Sequence, residues 1–172
     1  VELKYQPFGK DERTIIVSPY HLKQYNNRWF LIAKRSDMDE YLSNYAIDRI
    51  ISVTEISKPL EPLEDDFDFD DYFGDVVGVS VTNNPVETVV LHVNEKVLGY
   101  IMTKPLHESQ SSKPIQVDDK HWEITLKVKD NYELHSLLRS YGDQIEVIKP
   151  EHLRTEMKRL AEELTNMYRK DK

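Results

Sequence analysis

The pattern of hydrophobic and polar positions changes period once along the chain. Up to residue 58, apolar residues either alternate with polar ones or gather in short β-branched runs. "LKYQPF" alternates, "RTIIVSPYHL" is β-branched and ends at a proline, and "RWFLIAKR" is mostly apolar. "YLSNYAIDRIISVTEI" alternates before an apolar cluster. A period of two is the mark of a strand whose two faces meet different surroundings. Gly9-Lys10-Asp11, Asn26-Asn27 and Ser36-Asp37 supply turn chemistry between the runs. Four or five short strands without a convincing helix predict a small β-barrel over residues 1–58.

From residue 86 the period lengthens. "VETVVLHV" reads as a strand. "NEKVLGYIMTKPL" reads as a short helix capped by Asn94, with Val97, Leu98 and Ile101 on one face. "SSKPIQVDD" and "HWEITLKVK" form a predicted hairpin that turns at Asp118-Asp119-Lys120. In "NYELHSLLRSYG", Leu134, Leu137, Leu138 and Tyr141 fall at helical spacing, and Gly142 suits the residue after the C-cap. "QIEVI" is another strand. The resulting β-α-β-β-α-β order is the ferredoxin-like pattern, and two strand-cap-helix stretches echo each other within it. A last helix starts at Pro150. Its Leu153, Met157, Leu160, Leu164 and Met167 step by 4, 3, 4, 3, a stripe that packs on its own chain or contributes to a dimer. The fold class is therefore α+β: a barrel over 1–58, a connector over 59–85, and a ferredoxin-like domain with a terminal helix over 86–172.

The connector carries two early prolines, then carboxylates interleaved with Phe67, Phe69, Tyr72 and Phe73. The aromatics predict a short helix or turn that docks Phe69, Tyr72 and Phe73. Calcium is the sharper reading of Asp65, Asp66, Asp68, Asp70 and Asp71. Counted from Asp66, however, the sixth position is Asp71 and the twelfth Val77, where a calcium loop needs glycine and glutamate. No metal and no cofactor is expected.

Composition narrows the function classes. The chain has 172 residues and no cysteine, which excludes a disulfide scaffold, thiolate metal sites and cysteine catalysis. No apolar run approaches the ~20 residues of a membrane span, and no signal peptide is visible, so a cytoplasmic location is expected. The chain opens on Val1 and almost at once on a strand pattern, which reads as a fragment cut from a longer protein. The net charge of −8 argues against a free-standing nucleic-acid binder. The charge is nevertheless segregated. Lys10, Arg13, Lys23, Arg28, Lys34 and Arg35 stand against only Asp11 and Glu12 between residues 10 and 35, and every charge from Glu61 to Asp75 is acidic. Enzyme signatures are missing. The five glycines form no phosphate loop, the six histidines form no i, i+4 pair, and the serines of "HESQSSKP" lack a nucleophile elbow. No enzyme is expected.

Taken as one unit, "SPYHLKQYNNRWFLIAKRSDMDEYLSNYAIDRIISV" resembles the WYL domain of bacterial transcription regulators. The family's Trp-Tyr-Leu triplet corresponds to Trp29-Phe30-Leu31. Its proline-and-leucine strand corresponds to Ser18-Pro19-Tyr20-His21-Leu22, and its Leu-Asp-Arg-Ile element to Ile47-Asp48-Arg49-Ile50. Asn26-Asn27-Arg28 is the turn before the triplet, and the region after residue 86 looks like the extension that often follows such a domain. The resemblance implies an Sm-like, SH3-type five-stranded barrel that senses a ligand behind an N-terminal DNA-binding domain absent from this sequence. It also implies a nucleic-acid or nucleotide-like anionic ligand, and a homodimer joined through the extension. Ser43 stands where many members carry an arginine; if that arginine grips an anion in the relatives, the resemblance implies that this chain grips it less well or uses another cation, such as Arg28 or Arg35.

Anions are gripped by guanidinium, ammonium, hydroxyl and N–H groups, and bases stack on aromatic faces. The candidate ligand-binding residues are Ser18, Tyr20, His21, Lys23, Tyr25, Arg28, Trp29 and Arg49. Each has a plainer role open to it: Trp29 as core, Arg49 in a salt bridge, His21 as a turn residue, Tyr25 and Arg28 as exposed flanks of the Asn26-Asn27 turn. The functional expectation is a ligand-sensing, dimerising regulatory region. The alternative is a protein-protein interaction module with no small ligand.

Overall fold

A computed structural model describes residues 1–38 and 42–169. The start of the "YLSNYAIDRI" run and the last three residues of the C-terminal extension lie outside the described residues. The chain divides into two compact units, Val1–Tyr72 and Phe73–Lys172, in a mixed α+β architecture with two antiparallel sheets.

The first unit is a five-stranded sheet: β1 Glu2–Tyr5, β2 Arg13–Tyr25, β3 Arg28–Arg35, β4 Leu42–Ala46 and β5 Ile50–Thr54, in the order β4-β3-β2-β1-β5. The alternation seen in the sequence sends Leu3, Tyr5, Ile15, Val17, Ala33 and Tyr45 into one core. There the Tyr5 and Tyr45 rings meet edge to face at 5.2 Å. The β2–β3 hairpin turns through Asn26 and Asn27, both left-handed at φ 46° and 61°. That is the two-residue geometry in which Asn is tolerated and which suits the twist of the flanking strands.

Three expectations need correction. β2 does not end at Pro19 but runs on to Tyr25. It does so because the ladder to β3 slips between Pro19 and His21, which leaves Tyr20 without a facing residue. A bulge of this kind accommodates a residue that cannot donate to the ladder. The barrel is not closed: among the described residues the outer strands β4 and β5 do not pair. Finally, Ile47–Arg49 is a 3₁₀ turn rather than strand, so strand alternation does not govern Asp48 and Arg49.

The second unit contains β6 Val86–Asn94, α2 Glu95–Thr103, β7 Ile115–Gln116, β8 His121–Lys129, α3 Tyr132–Ser140, β9 Ile145–Lys149 and α4 Glu151–Tyr168. A short helix, α1 Phe69–Phe73, precedes them at the boundary of the units. The second sheet is antiparallel in the order β7-β8-β6-β9. Val89, Leu91, Val93, Ile124, Leu126 and Val128 are its buried positions. Asn94 and Gly142 take the places the sequence predicts, and Asn131 caps α3. Asn94 accepts from the Lys96 N–H at 3.1 Å, Asn131 accepts from the Leu134 N–H at 2.8 Å, and Gly142 follows the end of α3 at φ 57°. Only the first half of α4 is packed: Leu153 is buried, whereas Leu164 and Met167 are 57% and 68% exposed.

The segment after α1 is tied into this unit. Val76, Val77 and Val79 are buried, and the Asn131 amide donates to the carbonyls of Val77 at 2.9 Å and Ser80 at 3.0 Å. Residues 59–72 belong to the first unit.

Candidate functional site

The ladder between β2 and β3 decides which candidates share a face. Directly opposed residues of an antiparallel pair point the same way. Ser18 faces Lys34, His21 faces Ile32, Lys23 faces Phe30 and Tyr25 faces Arg28. Lys34, Ile32, Phe30 and Arg28 are two apart along β3, so all of these side chains lie on one face. Without the bulge, Ser18 and His21 would point to opposite faces. The extra residue, Tyr20, brings them into line. Ser18, His21, Lys23, Tyr25 and Arg28 thus form a single stripe of hydroxyl, imidazole, ammonium, phenol and guanidinium groups, with Tyr20 at the bulge.

Two candidates fall outside it. Trp29 faces Gln24 on the opposite side of the sheet, in line with Leu31 and Ala33, and is 48% exposed because it sits at the hairpin end of that face. Arg49 lies in the 3₁₀ turn, and its guanidinium stands 5.8 Å from the centre of the Phe8 ring, a cation–π distance. Ser43, at the place of the family's arginine, is paired with Ala33 on the core face.

The chain itself lies over one end of the stripe. The Tyr20 hydroxyl donates to the Glu61 carbonyl at 2.6 Å, and the Glu61 N–H donates to the Ser18 hydroxyl at 3.1 Å. Lys34 Nζ stands 3.4 Å from the Glu61 carboxylate. Eight residues further on, the Phe69 ring stacks on His21 at 4.4 Å and 17°. Phe67 and Tyr72 abut Phe69 edge-on at 5.0 and 6.4 Å, and burial raises the Tyr72 phenol above its ordinary pKa. Lys34, Glu61 and Phe69 were not among the sequence candidates. Lys34 was accessible to reasoning, since it alternates with Phe30 and Ile32. Glu61 and Phe69 were not, because nothing local shows where a connector folds back.

The three cations of β3 each meet a carboxylate. Arg28 pairs with Asp48 at 3.3 Å, Lys34 with Glu61, and Arg35 grips Asp37 through two hydrogen bonds of 2.8 and 2.5 Å. The fork of hydrogen bonds from Arg35 holds the Asp37 carboxyl below its ordinary value and the guanidinium above its own. Arg35 lies on the Trp29 face, the same face as Ser43, and its guanidinium is already engaged by Asp37. Among the described residues no set of His, Asp or Glu side chains is arranged to hold a metal, and no helix is long and apolar enough to cross a membrane.

The fold and this face define an α+β protein with a polar and aromatic strip on its first sheet. Residues 1–55 match the WYL domain and residues 85–165 match the WCX domain. The chain belongs to the WYL-domain family and carries a WCX domain after the WYL domain. Comparison with curated proteins gives no match. Among solved structures, the proteasome accessory factor B/C (PafBC) of Arthrobacter aurescens is 18% identical over 90% of this chain and 23% of its own, with a TM-score of 0.38. A CRISPR Cas-related protein is 12% identical over 99% of this chain and 47% of its own, with a TM-score of 0.52, a likeness of fold. The chain thus spans less than half the length of either.

Proposed function

We propose that this chain is the sensing region of a cytoplasmic transcription regulator, and that it binds a nucleic-acid or nucleotide-like anion on the β2–β3 stripe without catalysing a reaction. One observation carries the reading: the bulge after Pro19 gathers Ser18, Tyr20 and His21 onto the face that also holds Lys23, Tyr25 and Arg28. Hydroxyl and cationic groups beside aromatic rings suit a phosphate and a base. The order β4-β3-β2-β1-β5 supports a rolled, Sm-like SH3-type sheet, and β7-β8-β6-β9 supports a ferredoxin-like second unit. A ligand that prefers one arrangement of the regulator shifts an attached DNA-binding domain by linkage.

Fluorescence anisotropy with short labelled single-stranded DNA and RNA tests this. The expected result is binding that weakens steeply with salt, about 10-fold weaker in Arg28→Ala for the loss of one charge-assisted contact of about 1.5 kcal/mol. Arg49→Ala serves as the comparison from outside the stripe. If neither oligonucleotides nor mononucleotides bind at low salt, the reading fails and the interaction-module alternative takes its place.

The exposed second half of α4 supports a homodimer as part of the proposal, since Leu164, Met167 and Tyr168 form an apolar end on an otherwise charged helix. Sedimentation should show a dimer in the parent and a monomer in Leu164→Arg/Met167→Arg. A monomeric parent at all accessible concentrations would refute it.

A further inference from the structure

We propose that the acidic connector is an internal competitor for the ligand: residues 61–69 sit on the binding stripe in the way an anionic, base-bearing ligand would, and that ligand enters by displacing them. This rests on the reading of the stripe as a nucleotide-like anion site.

The two ends of the segment carry the two chemical features of a nucleotide. At one end the Glu61 carboxylate faces the Lys34 ammonium at 3.4 Å, and the Glu61 backbone uses both hydroxyls, donating to Ser18 and accepting from Tyr20. At the other end a flat ring, Phe69, is stacked on His21 at 17°, as a base would be. Between Glu61 and Asp71 the chain has seven carboxylates and no positive charge. Such a segment is attracted to the same basic strip as a polyanion, and it repels a polyanion while it is seated there. The segment is short, tethered next to the sheet and mostly exposed between its two anchors, so its effective concentration at the site is high without the contacts being strong. The Tyr20 hydroxyl cannot donate to the connector and to a ligand at once, because it has one proton.

A seated connector lowers the apparent affinity by the fraction of molecules in which the site is open. Phe69→Ala removes the ring on His21 without changing any charge and without touching a proposed ligand-binding residue. Glu61→Gln removes the carboxylate from Lys34. The test measures the apparent Kd of a short single-stranded oligonucleotide for the intact chain and for both variants at one salt concentration. Trp29 fluorescence in a Trp122→Phe background serves to confirm that the first unit stays folded. Affinity should tighten about 10-fold in Phe69→Ala and in Glu61→Gln, and a synthetic peptide of residues 59–72 should compete with the oligonucleotide on Phe69→Ala. Unchanged or weaker binding in Phe69→Ala, with the parent still binding, overturns the competitor role and leaves the proposed function standing. Failure of the peptide to compete overturns it as well. If parent and variants alike bind no oligonucleotide, the proposed function falls, and the competitor with it.

Discussion

Replacing Asn131 by alanine is expected to lower the stability of the second unit by about 3 kcal/mol. The side chain is only 6% exposed and makes three hydrogen bonds: its oxygen accepts from the Leu134 N–H and caps α3, and its amide donates to the carbonyls of Val77 and Ser80. Loss of an N-cap costs about 0.5–2 kcal/mol. Leaving the buried Val77 carbonyl and the partly buried Ser80 carbonyl without their donor costs about 1–3 kcal/mol more. The loss spreads, since Val76, Val77 and Val79 are buried in the segment that the amide holds. Asn131→Asp keeps the capping oxygen but turns a charged acceptor toward the two carbonyls in a site only 6% exposed, so it should cost at least as much as Asn131→Ala. The two units need not unfold together, but the chain has one tryptophan in each, Trp29 and Trp122. Denaturant unfolding followed by Trp122 in a Trp29→Phe background therefore reads the second unit alone. An unchanged midpoint in Asn131→Ala would show that the 77–80 segment is held by other means.

The second large effect is expected at Ile32. This residue is fully buried, yet it lies on the face of β3 that holds Arg28 and Lys34 and not on the face that forms the core of Leu3, Tyr5, Ile15 and Val17. Its partner across β2 is His21, which carries the Phe69 ring, and its partner across β4 is Asn44. Ile32→Ala deletes three carbons from a closed site and should cost the first unit about 3 kcal/mol, within the 2–5 kcal/mol typical of such truncations. Ile32→Val should cost about 1 kcal/mol. Unfolding followed by Trp29 in a Trp122→Phe background measures both. A cost below about 1 kcal/mol for Ile32→Ala would mean that the face closes over the cavity without loss.

Both sites show how local and tertiary information divide in this protein. β1 and the start of β2 were legible because one face of each is buried, and burial on one face writes a period of two into the sequence. The Asn26-Asn27 hairpin, the Asn94 cap and Gly142 at the end of α3 were legible for a different reason. Each satisfies a backbone demand within a few residues of itself, so its signal is short-range. The family resemblance drew on the same local features around Trp29-Phe30-Leu31, and the matches to the WYL and WCX domains cover the stretches where they occur.

What the sequence left open depends on partners far along the chain. Pro19 announced a disturbance in β2 but did not say whether the strand stops or bulges. The answer came from the β3 ladder, which continues to Tyr25 and turns Ser18 and His21 onto one face. The aromatic residues of the connector announced that it would dock, not where; the Phe69 ring met His21 forty-eight positions earlier in the chain. Gly78 carries no sequence motif, yet it sits at φ 84° with the Glu133 side chain so close that a Cβ would lie 2.6 Å from Glu133 Cγ. By itself, then, the amino-acid sequence determined the elements, their turns and caps and the domain family, because these follow from periodicity and from interactions between near neighbours. Only the tertiary structure decided which polar side chains share a face, which cations are already paired, and what part of the chain covers the stripe, because register, ion pairing and the return path of a connector are set by contacts between segments distant in sequence.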